Sequence, residues 1–259
     1  MNISIIGFGN MAKALVTKLL NNKTIHLSVA APSLPIGMNA DGIKTHSDNL
    51  AIIADADVVI LAVKPAQTRL VLDQIASKLL PHCLIISVAS GLSLTCYNMN
   101  KRPVIRAMPN IAAAMGQSAT PLIANEFVTN DQKKIAEQLF GSMGITTWLS
   151  EDREMDAFTA LSGSGPAYVF LFMDAMINAA VDLGLPKHTA TAFTLQTVQG
   201  ALSLAKTSKN NLSELRAAVT SPAGTTAAAI KVFMDGGFNE LIYQAMQAAF
   251  ERSIELGRA

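Results

Sequence analysis

The stretch Asn2-Ile3-Ser4-Ile5-Ile6-Gly7-Phe8-Gly9-Asn10-Met11-Ala12 joins a short β-branched run directly to a glycine-rich turn. After it, Ala14, Leu15, Leu19 and Leu20 recur at helical spacing. A strand, a G-x-G-x-x-A turn and a helix in this order form the dinucleotide-binding fingerprint in the context that it requires. The stretch therefore predicts a Rossmann-type α/β domain at the start of the chain.

The small residues of this turn have separate physical tasks. Gly7 permits the tight turn, Gly9 lets the backbone approach a pyrophosphate, and Ala12 allows the helix to pack closely on the sheet. The alternative is a chance glycine-rich turn, which the strand before it and the helix after it disfavour. We predict cofactor contacts along the whole turn, at Gly7, Phe8, Gly9, Asn10, Met11 and Ala12.

The rest of the first half alternates strands and helices, which is typical of a doubly wound α/β domain. One helix is predicted over Asp131–Phe140, and Gly144 just beyond it fits a left-handed helix cap. The further predicted strands are Ile25–Ala30, Asp57–Ala62, Leu84–Val88, Pro103–Ala107 and, at the edge of the sheet, Ala119–Ile123 and Thr146–Leu149.

The end of the second predicted strand bears on the choice of cofactor. Ala30-Ala31-Pro32-Ser33 occupies the place where an NAD-specific fold has Asp or Glu for the ribose hydroxyls. Without that carboxylate a 2′-phosphate meets no repulsion, and Ser33 can donate a hydrogen bond to it. The turn favours NADPH and leaves NADH as an alternative, because it contains no Arg.

Two later loops follow central strands, where loops lie beside the cofactor in doubly wound folds. In the first, Lys64 either faces the dinucleotide or is a solvated loop lysine. In the second, Asn110 follows Met108-Pro109 at the end of a strand. The cofactor contacts predicted in these loops are Ala62, Val63, Lys64, Pro65 and Asn110.

From Glu151 onward every predicted element is a helix. We therefore expect two domains, a dinucleotide-binding Rossmann domain over residues 1–150 and a helical substrate-binding and dimerisation domain over residues 151–259. The helix that Ser162-Gly163-Ser164-Gly165-Pro166 opens is apolar nearly all round as far as Leu183, which indicates burial in a core or between subunits. The later predicted helices are Leu185–Ala205, Leu212–Val219, Thr226–Met234 and Phe238–Leu256.

One turn between these helices is rich in hydroxyl groups. Val219-Thr220-Ser221-Pro222-Ala223-Gly224-Thr225-Thr226 places four hydroxyls, a proline and a glycine ahead of an apolar helix pattern. Ser and Thr cap helices, and Pro fits the first helical turn. Free N–H groups at the start of a helix also attract small anions. The turn is therefore either a plain helix cap or a site for a small carboxylate or phosphate.

The composition excludes several classes of function. The 259 residues carry a formal net charge of +1 and no charge run, so we expect no nucleic-acid partner. No uninterrupted apolar run approaches the roughly 18 residues that span a bilayer, so we expect no membrane partner. The two cysteines and four histidines show no ligand spacing, so we expect no metal site.

The remaining composition indicates an oligomer in a reducing compartment. Hydrophobic residues make up 50% of the chain, and excess apolar surface in a soluble protein usually lies in a subunit interface. We expect at least a homodimer. The N-terminus reads as a strand rather than a signal peptide, so we expect a cytoplasmic protein.

Together these motifs resemble the pyrroline-5-carboxylate reductases over essentially the whole chain. The second half carries the specific part of the resemblance, whereas many dehydrogenases share the glycine fingerprint. The matching stretches are Leu161–Gly184, Gln196–Ala201, Leu215–Thr226, Gly7–Ala12, Ala62–Pro65 and Arg106–Asn110.

The resemblance implies a Rossmann domain and an all-α domain that interlocks with a second subunit, with the active site at their junction. It implies reduction of the cyclic imine of pyrroline-5-carboxylate to L-proline by NADPH or NADH. Asn49 matches a family asparagine at the adenosine ribose of the cofactor. Thr226 matches the catalytic threonine whose hydroxyl faces the substrate ring nitrogen. The residues that match the turn receiving the substrate carboxylate are Ser221, Gly224 and Thr225.

The chain also departs from the family pattern. Ala112 stands where Pro is usual, Ser118 where Gly is common, and Ala223 where the first glycine of Ser-Pro-Gly-Gly is usual. If position 223 needs a positive φ, Ala is strained there. We expect such a strain to affect substrate affinity more than reaction type.

Other functions fit parts of the sequence. A β-hydroxyacid dehydrogenase shares the two-domain plan, but that family has a catalytic Lys and Leu161–Val181 contains none. A non-catalytic NADP-binding regulatory protein is consistent with the departures, although Thr225, Thr226 and Ser162–Tyr168 are retained. A reductase of a related cyclic imine with another ring size stays open.

Overall fold

The computed structural model of the protein describes residues 1–97 and 101–258. Its strands are β1 (Asn2–Ile6), β2 (His26–Ala30), β3 (Gly37–Met38), β4 (Lys44–His46), β5 (Val58–Leu61), β6 (Leu84–Ser87), β7 (Val104–Ala107), β8 (Ser118–Ala124) and β9 (Gly144–Trp148). Its helices are α1 (Asn10–Leu19), α2 (Pro65–Ile75), α3 (Asn130–Gly141), α4 (Glu154–Phe158), α5 (Gly165–Asp182), α6 (Lys187–Thr207), α7 (Leu212–Ala218), α8 (Thr225–Asp235) and α9 (Phe238–Arg258).

The strands form one sheet in the order β3-β4-β2-β1-β5-β6-β7-β8-β9. The pairs from β4 to β7 are parallel, whereas β3 against β4 and β7 against β8 are antiparallel. Helices follow β1, β5 and the pair β7 and β8, as in a Rossmann-type domain. The predicted α/β class of the first half is confirmed.

The central strands are buried on both faces, which explains why they read as continuous apolar runs rather than alternating ones. Every residue of β5, β6 and β7 is buried. On one face α1 packs Leu15 and Leu19 into the core. On the other face α2 contributes Leu72 and Ile75.

Gly144 does not cap a helix, contrary to the prediction. α3 ends at Gly141, and Ser142 beyond it is right-handed. Gly144 is the first residue of β9, with φ 147°, and a Cβ there would collide with the backbone of Ser118 on the neighbouring strand. Glycine is needed because two backbones approach closely, a tertiary cause that the helical pattern does not reveal.

The predicted edge position was wrong for one of the last two strands. β8 lies between β7 and β9, so β9 alone of the two is at the edge. β8 pairs antiparallel with β7 on one side and parallel with β9 on the other, so its backbone is hydrogen-bonded on both sides. A single strand pattern does not show which neighbours a strand will have, because pairing is set by the fold of the whole sheet.

Every secondary-structure element described after β9 is a helix, as predicted. The chain divides into two compact units: the first contains Met1–Pro166 and the residues from Ala248 onward, and the second is Ala167–Gln247. This division reflects how compactly each unit is packed. The predicted division between a cofactor domain and a substrate domain at residue 150 remains a prediction about function.

The helix α5 does not lie in a core of its own chain. None of its residues is buried, and Leu171 in its middle is 72% exposed. Among the described residues, the helical stretch Glu154–Asp182 is the one that is long and apolar enough, by length and composition, to cross a membrane. The sequence predicted that this helix is buried either in a core or between subunits. The core of its own chain is therefore excluded.

Candidate functional site

The carboxyl ends of β1 and β5 mark the point at which the strand order reverses. From β1 the sheet continues through β2 on one side, and from β5 through β6 on the other. Doubly wound sheets bind dinucleotides in the crevice at such a switch point. Gly7 follows β1 with φ 98°, and a Cβ there would lie 2.6 Å from the carbonyl oxygen of Ala62, which follows β5. Two loops predicted to bind the cofactor therefore touch at this crevice.

The start of α1 is open to a phosphate group. Gly9 caps the helix without any side-chain hydrogen bond, and a Cβ on Gly9 would meet no atom within 4 Å. The first turn of the helix contains no acidic residue. Its free N–H groups and the positive end of its dipole thus face open space without a competing carboxylate. The cradle fits a dinucleotide pyrophosphate.

The other residues of this turn differ in exposure. Ala12 is fully buried against the sheet, whereas Phe8 and Met11 are partly buried and pack against the same core cluster. Asn10 is exposed. The Lys13 ammonium lies 5.6 Å from the centre of the Phe8 ring. The turn therefore presents its backbone and Asn10 outward, while its apolar side chains anchor it.

Ser33 and Asn49 lie at the same edge of the sheet. Ser33 is exposed in the turn that follows β2, which is closed by a 2.9 Å hydrogen bond from Leu34 N–H to the Ala31 carbonyl. Asn49 follows β4 and donates its side-chain amide to Gln74 Oε1 at 2.8 Å. Because β4, β2 and β1 are parallel, their carboxyl ends share one edge.

Lys64 stands beside this crevice. It is exposed and precedes α2, of which Pro65 is the first residue. Within the described part of the chain no ion pair or hydrogen bond engages its ammonium. Val63 between it and Ala62 is half-buried. The loop thus brings an available positive charge to the switch point.

Asn110 is 8% exposed just after β7. Its side-chain oxygen accepts the Ala112 N–H at 3.0 Å, and its own backbone N–H donates to Ser118 Oγ at 3.1 Å. Its side-chain amide donates to the carbonyl oxygen of Ser162 at 3.0 Å. Ser118, where the family commonly has Gly, thus has a structural partner. The structure adds these contacts to the predicted cofactor role of Asn110, which stays a prediction.

Arg106 and Asp152 form an ion pair that the sequence reasoning missed. Arg106 is 4% exposed on β7, and its Nη1 donates to Asp152 Oδ1. The second oxygen, Asp152 Oδ2, accepts the Leu94 N–H at 2.7 Å. The pair fixes the start of the helical half against the sheet. An arginine inside an apolar strand was the available signal, since a buried charge needs a partner.

The hydroxyl-rich turn belongs to the second compact unit. The Gly224 N–H donates to the Ser221 carbonyl at 3.0 Å, and Gly224 caps α8 without a side-chain hydrogen bond. A Cβ on Gly224 would collide with the Ser221 side chain. Within the residues described, the hydroxyls of Ser221, Thr225 and Thr226 have no hydrogen-bond partner. The turn is therefore not a plain Ser or Thr cap.

Ala223 adopts a left-handed conformation, with φ 58°. With Pro222 at the second position and a positive φ at the third, the turn follows the type II pattern, which usually has Gly at that third position. The conformation costs an L-residue roughly 1–2 kcal/mol. The strain expected from the sequence is present, and the turn closes in spite of it.

These two sites offer free N–H groups and hydroxyls that suit an anion, and the described residues place no acid–base pair at either. In the described ranges no group of three or more His, Cys, Asp or Glu is placed to hold a metal ion. The cofactor edge lies in the first unit and the hydroxyl-rich turn in the second. A nicotinamide cofactor held at the cofactor edge would supply the redox chemistry.

Comparison with known proteins covers both units. A family model described as pyrroline-5-carboxylate reductase dimerisation matches residues 152–256. A model described as NADP oxidoreductase, coenzyme F420-dependent, matches residues 2–91. The chain is 43% identical to the pyrroline-5-carboxylate reductase of Pseudomonas aeruginosa, over 98% of this chain and 96% of that one. It is 33% identical to pyrroline-5-carboxylate reductase 1 of Bacillus subtilis, over 98% and 89%.

Solved structures agree with this result. The pyrroline carboxylate reductase of Plasmodium falciparum, solved with NADP bound, has a TM-score of 0.92 and 29% identity, and the match covers 99% of this chain and 98% of that one. A pyrroline-5-carboxylate reductase from Coxiella burnetii has a TM-score of 0.88 and 39% identity, covering 100% and 99%. With such identity along almost the full length of its relatives, the chain belongs to the pyrroline-5-carboxylate reductase family.

Proposed function

We propose that the protein reduces L-1-pyrroline-5-carboxylate to L-proline, the last step of proline biosynthesis, with NADPH as hydride donor and NADH as an alternative. The observation that carries this is the 43% identity with the Pseudomonas aeruginosa reductase, because it extends over both the cofactor edge and the hydroxyl-rich turn. The crevice between Gly7 and Ala62 fits the class of cofactor that the Plasmodium falciparum structure contains.

In this proposal the first unit binds the cofactor. The free N–H groups from Gly9 to Ala12 receive the pyrophosphate, and the helix dipole of α1 stabilises its charge. Ser33 donates to the 2′-phosphate, Asn49 contacts the adenosine ribose, and Lys64 adds positive charge at the crevice. The bound cofactor supplies the hydride, and these residues hold it in place.

The second unit binds the substrate. Ser221, Gly224 and Thr225 receive the carboxylate with hydroxyl and N–H groups, at the start of a helix whose first turn has no acidic residue. Thr226 directs its hydroxyl to the ring nitrogen. These groups match the ligand, because a carboxylate needs several convergent donors and no base.

The absence of a strong acid is consistent with this reaction. A protonated imine is already electrophilic and carries its own proton, so hydride transfer needs no further proton from a side chain. What the protein must contribute is orientation, with the reacting atoms about 3–3.5 Å apart and the carboxylate fixed. In this proposal the hydroxyl-rich turn holds the carboxylate of the small ring, and the Thr226 hydroxyl holds its nitrogen. Together they give that orientation.

We also propose that the protein acts as a homodimer or a higher oligomer in the cytoplasm, without a nucleic-acid or membrane partner. The apolar, exposed α5 supports an interface, because residues 152–256 match a model for dimerisation. In this proposal the stretch Glu154–Asp182 is covered by a second copy of the chain rather than by lipid.

The direct test is the loss of NADPH absorbance when pyrroline-5-carboxylate is added to the purified protein, repeated with NADH. Rapid oxidation with L-proline as product is the expected result, with NADPH the faster donor. Oxidation with a cyclic imine of another ring size instead would reassign the substrate. Binding of NADPH without oxidation by any imine would support a regulatory protein.

A further inference from the structure

Pro166 leaves one helical carbonyl group without its usual donor. In an α-helix the carbonyl of residue 162 accepts the N–H of residue 166, and proline has no N–H. The chain here forms a π-helical turn over Thr159–Gly163, called the π-turn below. In it the Ser164 N–H donates to the Thr159 carbonyl at 2.8 Å, five residues back. The Ser162 carbonyl therefore needs a donor from outside the helix.

Asn110 supplies that donor from the sheet. Its side-chain amide reaches the Ser162 carbonyl at 3.0 Å, and the residue is nine-tenths buried. The opposite end of the same amide accepts the Ala112 N–H, so the side chain is held in a single orientation by bonds at both ends. The bond to Ser162 is partly buried, and the more a carbonyl is shielded from water, the more its loss of a partner destabilises the fold.

The π-turn also packs on the edge of the sheet that carries the predicted cofactor residues. A Cβ on Gly163 would lie 3.1 Å from Met108 Cε, directly after β7. The Ser162 hydroxyl donates to the Phe158 carbonyl at 3.0 Å, whereas the Ser164 hydroxyl makes no hydrogen bond within the described ranges. Single π-turns inside helices occur frequently at functional sites. Here the π-turn contacts the sheet edge through Gly163, and Ser164 directly after it keeps its hydroxyl unengaged.

We propose that Asn110 acts as a positioning residue for hydride transfer rather than as the direct cofactor contact that the sequence predicts. By bonding to the carbonyl that Pro166 leaves unpaired, it fixes the π-turn, and with it the Ser164 hydroxyl that follows the turn, beside the bound cofactor. The inference rests on the proposed function for its effect on rate. The hydrogen bond from the Asn110 amide to the Ser162 carbonyl, called the tie below, does not depend on any activity.

The test is a double-mutant cycle of Asn110→Ser and Pro166→Ala. Serine retains an oxygen that can cap the Ala112 N–H, but it has no amide to reach Ser162. Alanine at position 166 restores an N–H that can pair with the Ser162 carbonyl within the helix. If Asn110 acts through that carbonyl, its loss matters only while Pro166 is present.

We expect Asn110→Ser to lower kcat about tenfold while KM for NADPH changes less than about twofold, because misplacement affects the reaction more than binding. In the Pro166→Ala background we expect the same change to lower kcat less than about threefold. An equal loss in both backgrounds, with a raised KM for NADPH, would mean that Asn110 contacts the cofactor directly and would overturn the proposal. Wild-type kcat in Asn110→Ser would overturn it as well.

Asn125 offers a matched control. Its amide donates to the Arg102 carbonyl at 2.9 Å, at the opposite end of β7. Its oxygen accepts the Phe127 N–H, two residues on, at 3.3 Å, and also the Val104 N–H at 3.1 Å. Asn125→Ser therefore also loses an amide-to-carbonyl bond, and we expect a fall in Tm at least as large as that of Asn110→Ser, with kcat within about twofold of wild type. An equal loss of kcat in this control would reduce Asn110 to a merely structural role and contradict the proposal.

Hydrogen–deuterium exchange separates this proposal from the proposed function. In Asn110→Ser we expect faster exchange of the peptide over residues 159–166, reversed by Pro166→Ala, whether or not the protein reduces pyrroline-5-carboxylate. Unchanged exchange would contradict the tie even in an active enzyme. Faster exchange in a protein that reduces no imine would leave the tie standing and reject the proposed reaction.

Discussion

Thr226 is the residue on which the proposed reaction depends most directly. It is the second residue of α8, and its hydroxyl has no hydrogen-bond partner among the residues that the structure describes. A hydroxyl at the N-cap position of a helix usually accepts a backbone N–H of the first turn. Here Gly224 occupies the cap position instead, so the Thr226 hydroxyl remains available to a ligand.

We expect Thr226→Ala to lower kcat/KM for pyrroline-5-carboxylate by about one to three orders of magnitude, in line with removal of a positioned donor in other enzymes. Thr226→Ser retains the hydroxyl and should stay within about tenfold of wild type. Steady-state kinetics of both variants, with circular dichroism to verify folding, measure this. Wild-type efficiency of the alanine variant would remove Thr226 from the site.

Ala223 carries backbone strain that glycine would relieve. We expect Ala223→Gly to raise the free energy of unfolding by up to about 1 kcal/mol, because relief of the left-handed strain exceeds the added entropy of the unfolded chain. The turn already closes with alanine, so KM for the substrate should change less than about twofold. Urea denaturation and steady-state kinetics measure the two quantities.

Ala201→Gly is the control substitution, in which glycine should lower the stability. Ala201 lies inside the helix α6, where Ala→Gly lowers stability by about 1 kcal/mol. If Ala223→Gly and Ala201→Gly both lower the free energy of unfolding, then glycine does not relieve a backbone strain at position 223. A large fall in KM for Ala223→Gly would instead mean that the alanine displaces the carboxylate turn.

At the scale of elements, the end of β6 is tied to a short 3-10 turn. Ser87 Oγ and the Tyr97 hydroxyl are 2.7 Å apart, and both residues are buried. Burial raises the pKa of the Tyr97 phenol from 10.0 to about 12. The hydrogen bond to Ser87 opposes that rise only in part.

The raised pKa of Tyr97 predicts a loss of stability at alkaline pH. Between pH 10 and 12 the unfolded chain releases the Tyr97 proton while the folded chain keeps it, so the free energy of unfolding falls by about 1.4 kcal/mol per pH unit. We expect Tyr97→Phe to lose about 1.4 kcal/mol less than wild type between pH 8 and pH 11 in urea denaturation. Identical losses for wild type and Tyr97→Phe would contradict the assignment.

Much of the fold could be predicted because its elements are encoded locally. The residues from Asn2 to Ala12 specify a strand, a turn and the start of a helix largely through their local conformational preferences. The role of Gly144 could not be predicted, because it depends on the backbone of Ser118 in a neighbouring strand. Local patterns show which elements form, whereas close approaches depend on how the elements meet.

The candidate site was predictable to a similar extent. The glycines of Gly7–Ala12 and the proline, glycine and hydroxyl residues of Ser221–Thr226 indicate the two loops, whereas the anions that these loops bind remain a prediction. The bond between Asn110 and Ser162 joins residues far apart in the chain, and no local pattern indicates it. Pro166 was the only signal, since a proline within a helical pattern implies an unpaired carbonyl four residues earlier.

At the scale of the whole molecule, the apolar surface of α5 is the main unexplained feature of a single chain. Val169 and Phe170 are exposed together with Leu171. Exposed apolar patches of this kind mark interaction sites in soluble proteins. The proposed homodimer would bury this surface.

We expect Leu171→Glu to disrupt the oligomer, because a carboxylate in an apolar interface loses its hydration without gaining a partner. The variant should elute as a monomer in size-exclusion chromatography with light scattering and lose most of its activity. Leu70→Glu is the matched control, since Leu70 on α2 is 73% exposed against 72% for Leu171, and it should keep the wild-type size. A wild-type oligomer for Leu171→Glu would place the interface elsewhere.

The most direct test of the account follows the hydride itself. Wild-type protein would be supplied with pyrroline-5-carboxylate and with NADPH carrying deuterium at one or the other position of nicotinamide C4. We expect one of the two labelled forms to transfer a single deuterium to the former imine carbon of L-proline, measured by mass spectrometry and NMR. Oxidation of NADPH without deuterium in proline, or no proline at all, would contradict it.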